Sequence, residues 1–127
     1  MLSRKKNKGV KMKAGTGKID ITPPIGVELA GYGPFLERKS TGIHDNLFCK
    51  VLYLENEKDK GIIAVCDLIC LENNLVRNIR KNINRKFDID EKKILLAGIH
   101  THSGPATGGH IGWGKEDEDL SLIHISE

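Results

Sequence analysis

The alternation of polar and apolar residues predicts a chain that forms a sheet. Residues 18–22 alternate before Pro23 and Pro24, which predicts a short strand ended by a rigid turn. Residues 47–55 are rich in aliphatic and aromatic side chains and predict a second strand. Residues 61–66 are continuously apolar, which predicts a third strand that is covered on both faces.

A helix with one apolar face follows the third strand. Apolar residues recur at every fourth position, which predicts an amphipathic helix from about residue 71 to 86. These positions are Leu71, Leu75, Ile79, Ile83 and Phe87. Residues 88–90 end the helix, and residues 94–99 form a fourth strand. Because a strand, a helix and a strand follow one another with short links, we predict a right-handed crossover between parallel strands. The predicted fold class is α/β, with a mixed sheet that contains at least one right-handed βαβ unit.

The charge of the chain is concentrated at its beginning. Six of the 20 basic residues lie within residues 1–13, so the rest of the 127 residues carry 14 basic against 17 acidic side chains. This body has no basic excess, and we expect no nucleic-acid partner. We expect residues 1–13 to form a disordered basic leader; a polybasic anchor for anionic lipid and a true start at Met12 are the alternatives. The sequence sets no oligomeric state.

The apolar segments are too short for membrane insertion. Lysines and glycines interrupt every early apolar run, so we expect no signal peptide, and no stretch is long enough for a transmembrane segment. The three cysteines Cys49, Cys66 and Cys70 lie in apolar, strand-like contexts, and buried free thiols in a reducing compartment fit them best. These features predict a cytoplasmic location.

The histidines at the end of the fourth strand are the leading candidates for chemistry. His100 and His102 are two positions apart, so in an extended strand both side chains would project from one face. Imidazole is the commonest metal ligand, and packed or hydrogen-bonded histidines are the alternative. In a parallel pair the carboxyl ends of the strands share one edge, so Asp67 at the end of the third strand is expected to face the same crevice.

Three further residues are candidates for orienting such a site. His44, beside Asp45, and the strand-end carboxylates Asp20 and Asp67 could each hydrogen-bond a residue that touches the metal. The alternative is that all three cap turns or strand ends. The spacing of these residues leaves both readings open.

The last eight residues have an unusual origin. Residues 120–127 are the in-frame translation of a transposase-end adaptor used in sequencing libraries, so we expect this tail to be artefactual. A genuine short strand is the alternative. On the first interpretation His124 is not a candidate ligand, and the natural chain continues past residue 119.

Residues 14–105 resemble the N-terminal part of the neutral/alkaline non-lysosomal ceramidase family. The segments that carry the resemblance share an order and a spacing, and the last is the most distinctive. They are residues 14–24, Gly31-Tyr32-Gly33, Gly42-Ile43-His44-Asp45, Asp67-Leu68 and His100-Thr101-His102-Ser103-Gly104-Pro105. The resemblance implies that residues 14–119 are an incomplete N-terminal part of a larger domain.

The resemblance also implies an activity. The family pattern is an amidase that cleaves the N-acyl bond of ceramide or a related lipid or small-molecule amide with one catalytic Zn²⁺. It makes His100 a zinc ligand and places His102 beside the metal as a catalytic residue, while a further histidine, a glutamate and a tyrosine come from downstream regions. We therefore expect this fragment by itself to be inactive. The alternative function is a non-catalytic small α/β binding domain with structural histidines, which a native stop codon soon after Asp119 would favour.

Overall fold

The computed structural model describes residues 9, 11–33 and 37–107. Within these residues one α-helix stands among four strands, and a single 3-10 turn at Glu91–Lys93 precedes the last strand. The elements are β1 (Lys13–Asp20), β2 (Phe48–Glu55), β3 (Lys60–Cys66), α1 (Asn73–Phe87) and β4 (Ile94–Gly98). The four predicted strands and the predicted helix are therefore all present.

The strands form one mixed sheet in the order β1-β2-β3-β4. The β1–β2 and β2–β3 pairs are antiparallel, and β3 and β4 are parallel, as the predicted crossover requires. β1 begins five residues earlier than the predicted strand. Its pairing with β2 runs from the pair Lys13–Glu55 to the pair Asp20–Phe48. All of β1 is exposed, so the early part of this edge strand has no apolar alternation to reveal it.

Helix α1 packs through a single apolar stripe. Ile79 is buried, and Arg80 Nε donates a hydrogen bond to Ile94 O at 3.0 Å, which fixes the helix against the start of β4. The helix ends where Asp88 adopts the left-handed conformation and its N–H reaches Asn84 O at 2.9 Å. The predicted end is confirmed to within one residue. The helix starts two residues later than predicted, because Glu72 is still extended.

The core lies on one face of the sheet. Its buried centre is formed by Ile21, Cys49, Ala64, Cys66 and Leu68. On the opposite face, the paired residues Ile63 and Leu95 are 39% and 55% exposed. The expectation that the third strand is covered on both faces is therefore wrong for the described part of the chain. A continuous apolar run predicts a strand, but it does not indicate which other elements cover that strand.

Several sequence-based expectations fall outside the described residues. The tail at 120–127 lies entirely outside them, as do most of the leader at 1–13 and the glycine-rich segment from residue 108 onward. The last residue of the predicted leader, Lys13, is already part of β1. In the residues that the structure describes, no helix is long and apolar enough to cross a membrane.

The end of β4 approaches the backbone that follows β3 very closely. Ile99 N–H donates to Cys66 O at 3.1 Å, and His100 N–H donates to Leu68 O at 3.0 Å. A Cβ atom at Gly98 would lie 2.9 Å from Leu68 O. Gly98 is thus the residue that permits this approach, because any side chain there would meet a backbone carbonyl.

We predict that Gly98→Ala lowers the free energy of unfolding by about 1–3 kcal/mol, because the added methyl group forces the β4 end away from Leu68. Urea unfolding measures the change. Gly17→Ala is the control, since a Cβ there has no neighbour within 4 Å and should change stability by no more than about 0.5 kcal/mol. Equal effects of the two substitutions would contradict the role of Gly98.

Candidate active site

His100 and His102 lie in the loop that follows β4. Their ring centroids are 5.0 Å apart, with ring planes inclined at 75°. The expectation that a common strand face brings them together is wrong, because β4 ends at Gly98 and His100 has a φ of 66°. The rings meet through a left-handed turn, which costs a non-glycine residue roughly 1–2 kcal/mol. Such a conformation persists only where the surroundings impose it.

Two backbone carbonyls impose the position of His100. Leu68 O accepts the His100 N–H at 3.0 Å, and Ile69 O is 2.9 Å from its Nδ1. A carbonyl oxygen can only accept, so Nδ1 carries the proton in this contact. In the neutral ring the lone pair is then on Nε2. A backbone carbonyl on the second ring nitrogen is the arrangement that orients metal-binding histidines.

His102 is held against a glycine of the Gly31-Tyr32-Gly33 segment. A Cβ at Gly31 would lie 2.7 Å from both Cγ and Nδ1 of His102, and Gly31 has a φ of 92°. Only glycine combines this φ with so close an approach. The Tyr32 ring meets the His102 ring edge-on at 6.3 Å between centroids. The position of His102 therefore depends on a segment some seventy residues earlier in the sequence.

A cation lies on the far side of this aromatic contact. The Arg38 guanidinium is 4.1 Å from the Tyr32 ring centroid, which is within the range of a cation–π interaction. Arg38, Tyr32, His102 and His100 thus form a continuous series of side-chain contacts. The positive charge of Arg38 lies at the end of this series opposite His100.

Backbone hydrogen bonds hold residues 27–33, the glycine segment, beside residues 99–106, the histidine loop. Ala30 N–H donates to Gly104 O at 3.1 Å, and Ala106 N–H donates to Glu28 O at 2.9 Å. Beneath these bonds, Ala30 and Ala106 join Ile69 in a small buried cluster. Two segments that are distant in sequence are therefore fixed against each other and against the carbonyl that contacts His100.

Asp67 lies at the predicted end of β3 but its observed contact is with β2. Its Oδ2 accepts the Phe48 N–H at 2.9 Å, while its own N–H donates to Phe48 O at 2.9 Å. Asp67 thereby extends the β2–β3 pairing by one residue, which matches the strand-end reading. A role in orienting a metal-bound group stays a prediction.

Asp20 is the last residue of β1, and His44 lies in the loop before β2. Asp20 accepts hydrogen bonds from Thr22 N–H at 2.8 Å and Asn46 Nδ2 at 2.7 Å, and the bonds from Thr22 and Asn46 lower the pKa of its carboxyl. His44 Nδ1 is 2.8 Å from Asp45 Oδ2, and both side chains are exposed. The contacts of Asp20 match turn capping, whereas the contact of His44 is with the side chain of its neighbour Asp45. For both residues a site role stays a prediction.

An open cavity of about 660 Å³ lies beside the histidine loop. Thr101 and Ser103 of the histidine loop form part of its wall. Apolar side chains of the glycine segment, of the loop before β2 and of the histidine loop form the rest of its apolar surface. The apolar residues are Val27, Leu29, Ile43, Leu47 and Pro105. The site thus combines paired imidazoles with a partly apolar depression next to them.

The described residues do not by themselves hold a complete metal site. Among them, no three or more histidine, cysteine, aspartate or glutamate side chains come together in a group that could hold a metal ion. His100 has the donor chemistry and the carbonyl support of a ligand, with His102 as its neighbour. A catalytic zinc needs about three protein ligands, so the remaining ones must come from elsewhere.

Comparison with known proteins identifies the family. Residues 12–111 match the family described as neutral/alkaline non-lysosomal ceramidase, N-terminal. The chain belongs to this family. Its relatives include Neutral ceramidase 1 of Arabidopsis thaliana, at 28% identity over 101 residues, and the neutral ceramidase of Pseudomonas aeruginosa, at 30% identity over 101 residues. Family membership confirms the resemblance of the histidine and glycine motifs.

The fold is that of the ceramidase N-terminal region. The crystal structure of neutral ceramidase from Pseudomonas aeruginosa superposes with a TM-score of 0.69 at 27% identity, over 78% of this chain and 16% of that one. The two sequence relatives each align with 76% of this chain, which accounts for 13% of the Arabidopsis protein and 15% of the Pseudomonas protein. The chain therefore spans only a small part of the ceramidases it matches.

We predict that Gly31→Ala displaces the His102 ring and leaves His100 in place, because the new Cβ would overlap His102 and not the carbonyl contacts of His100. Histidine ring NMR signals report both positions separately. Gly33→Ala is the control, since its φ of 52° is also positive but a Cβ there has no neighbour within 4 Å. A displaced His102 signal in Gly33→Ala, or none in Gly31→Ala, would contradict the steric argument.

We predict that Asn46→Ala raises the pKa of Asp20 toward its ordinary value, because it removes a donor to the carboxylate. The lowered pKa means that Asp20 stabilises the fold above the unfolded-state pKa, and that this contribution disappears as the pH falls through the folded-state pKa. Carboxyl NMR titration measures the shift. Asn78→Ala, in the exposed face of α1, should leave the Asp20 titration unchanged.

Proposed function

We propose that this chain forms one wall of the active site of a zinc-dependent amide hydrolase. In this proposal the complete protein cleaves the N-acyl bond of ceramide or a related lipid amide. Two findings support it: the chain belongs to the ceramidase family, and its sequence relatives are named neutral ceramidases. Because the chain spans 13% and 15% of those two relatives, the activity is proposed for the longer parent protein and not for these 127 residues.

The observation that carries the proposal is the hydrogen bond between His100 Nδ1 and Ile69 O. It requires the proton on Nδ1, so the neutral ring offers its lone pair on Nε2, which is the donor atom a zinc ligand needs. The left-handed backbone at His100 and the bond to Leu68 O hold the ring at the strand end. A backbone outlier that its surroundings impose is a feature that clusters at functional sites.

His102 is proposed as the catalytic neighbour of this ligand. Its ring lies 5.0 Å from His100 between centroids and is seated on Gly31, so it is close to the ligand without sharing its backbone support. An imidazole in this position can donate a hydrogen bond to the oxyanion of a tetrahedral intermediate or move a proton to the leaving amine. When bound, zinc supplies Lewis-acid polarisation of the amide carbonyl and lowers the pKa of water toward about 7.

The cavity beside the histidine loop supports a lipid amide as the substrate class. Its wall offers Val27, Leu29 and Leu47 to an acyl chain, with the hydroxyl groups of Thr101 and Ser103 at the side of the histidines. An amphipathic amide needs such a combination, since its apolar chain must leave water while its polar group reaches the reacting centre.

The test uses the parent protein at the length of its relatives. We expect His100→Ala to remove bound zinc and ceramide hydrolysis together, because a ligand is lost. His102→Asn should keep zinc but lower kcat by roughly 10²–10⁴-fold, because it removes only the proton-transfer or oxyanion contact. Metal analysis and hydrolysis of a short-chain ceramide measure the two effects. Asn78→Ala, on the exposed face of α1, is the control and should keep both properties.

We also predict that the 127-residue chain by itself binds no stoichiometric zinc, because the described residues contain no complete ligand group. Metal analysis after dialysis against zinc checks this. Stoichiometric zinc in this chain that disappears in His100→Ala would show that the ligand set is complete here, and would contradict a dependence on downstream residues.

A further inference from the structure

Two of the three cysteines come together in the core, although they are seventeen positions apart in sequence. Cys49 in β2 and Cys66 in β3 are direct partners in the antiparallel register. Both are buried, at 6% and 2% exposure. As direct cross-strand partners they project from the same face of the sheet beside each other, and each thiol shifts the pKa of the other. The spacing of these residues in the sequence carries no indication of this pairing.

The register also determines the kind of pair they form. Asp67 N–H bonds to Phe48 O, which makes Phe48 and Asp67 a hydrogen-bonded pair. Hydrogen-bonded and non-hydrogen-bonded pairs alternate along an antiparallel ladder, so Cys49 and Cys66, the next pair, are of the non-hydrogen-bonded type. Their Cα atoms are then expected about 4.5 Å apart, inside the range of about 4.4–6.8 Å that disulfides span. A bond between them needs no rearrangement of the strands.

We infer that Cys49 and Cys66 are a redox pair that forms a reversible disulfide across β2 and β3. The oxidant is a peroxide. Cys49 Sγ attacks one peroxide oxygen, the O–O bond breaks, and a sulfenic acid and one water are formed. Cys66 Sγ then attacks the Cys49 sulfur, the S–O bond breaks, and a second water leaves. Two electrons pass from the thiols to the peroxide, and a dithiol reductant restores both thiols.

Cys49 is the attacking sulfur in this sequence. The hydrogen bond from the Cys66 thiol stabilises the Cys49 thiolate and lowers its pKa, while the same bond and burial raise the pKa of Cys66. Cys66 keeps its proton until the sulfenic acid is next to it.

The disulfide would restrain the backbone that positions His100 in the candidate active site. Cys66 O accepts the Ile99 N–H, and Leu68 O, two residues later, accepts the His100 N–H. A covalent bond at Cys66 would therefore fix the strand end that holds His100.

Cys70 provides the contrast that tests the inference. It is more exposed than the other two, so oxidation governed by access alone would modify Cys70 first. Trypsin releases Cys49 in residues 40–50 but leaves Cys66 and Cys70 together in residues 61–77. Cys70→Ser therefore removes the ambiguity of the second peptide without touching the pair.

The experiment treats the folded 127-residue chain with hydrogen peroxide, blocks the remaining thiols, and maps peptides without reduction. We expect a linked pair of peptides 40–50 and 61–77 as the main product, with the mass of two hydrogen atoms lost. It should persist in Cys70→Ser, disappear in Cys49→Ala and be reversed by dithiothreitol. Main products in which the Cys70 sulfur is oxidised or disulfide-bonded, products that join two chains, or the absence of the linked peptides in the wild-type chain would overturn the inference.

Discussion

The close parallel pairing of β3 with β4 is the constraint on which the candidate site depends. The two strands run together to Cys66 and Gly98, and the pairing continues through the bonds of Ile99 and His100 to the backbone after β3. Because Gly98 has no side chain, Leu68 O can approach closely enough for this continuation. The left-handed turn at His100 follows, since the bond to Leu68 fixes its backbone and the bond to Ile69 fixes its ring. A local steric requirement at one glycine thus determines where an imidazole is presented.

The second histidine is controlled from another part of the chain. His102 rests on Gly31, and the Gly31 segment is held by the bonds of Ala30 and Ala106 to the opposite segment. Its neighbour Tyr32 has the Arg38 guanidinium on the ring, so positive charge lies on this side of the histidines. The two imidazoles therefore have separate supports, which is the physical basis for assigning them separate roles in the proposed chemistry.

The regular elements could be predicted from the sequence, but the contacts of the site could not. Apolar runs predict the bounds of β2, β3 and β4 to within two residues, and the four-residue spacing from Leu71 to Phe87 does the same for α1. These patterns exist because each element buries one face or stripe. The start of β1 was missed because its residues are all exposed. The seat of His102 on Gly31 and the contact of Cys49 with Cys66 depend on register and tertiary pairing, which no local pattern contains. The extended geometry expected at His100 is wrong because hydrogen bonds to the residues that follow β3 impose its conformation.

The position of His100 and the chemistry proposed for it depend on different parts of the protein. The hydrogen bonds that position its backbone and ring are to Leu68 and Ile69, in the residues after β3, which lie within the part of the chain that the structure describes. A complete zinc site needs ligands beyond these, so the proposed zinc binding and hydrolysis would depend on the longer parent protein. If the ring keeps its orientation in this chain alone, the ligand is preorganised by the fold and not by the metal. Zinc binding would then add to an arrangement that the sheet has already formed, and the affinity lost in a Gly98 variant of the parent would measure how much that preorganisation contributes.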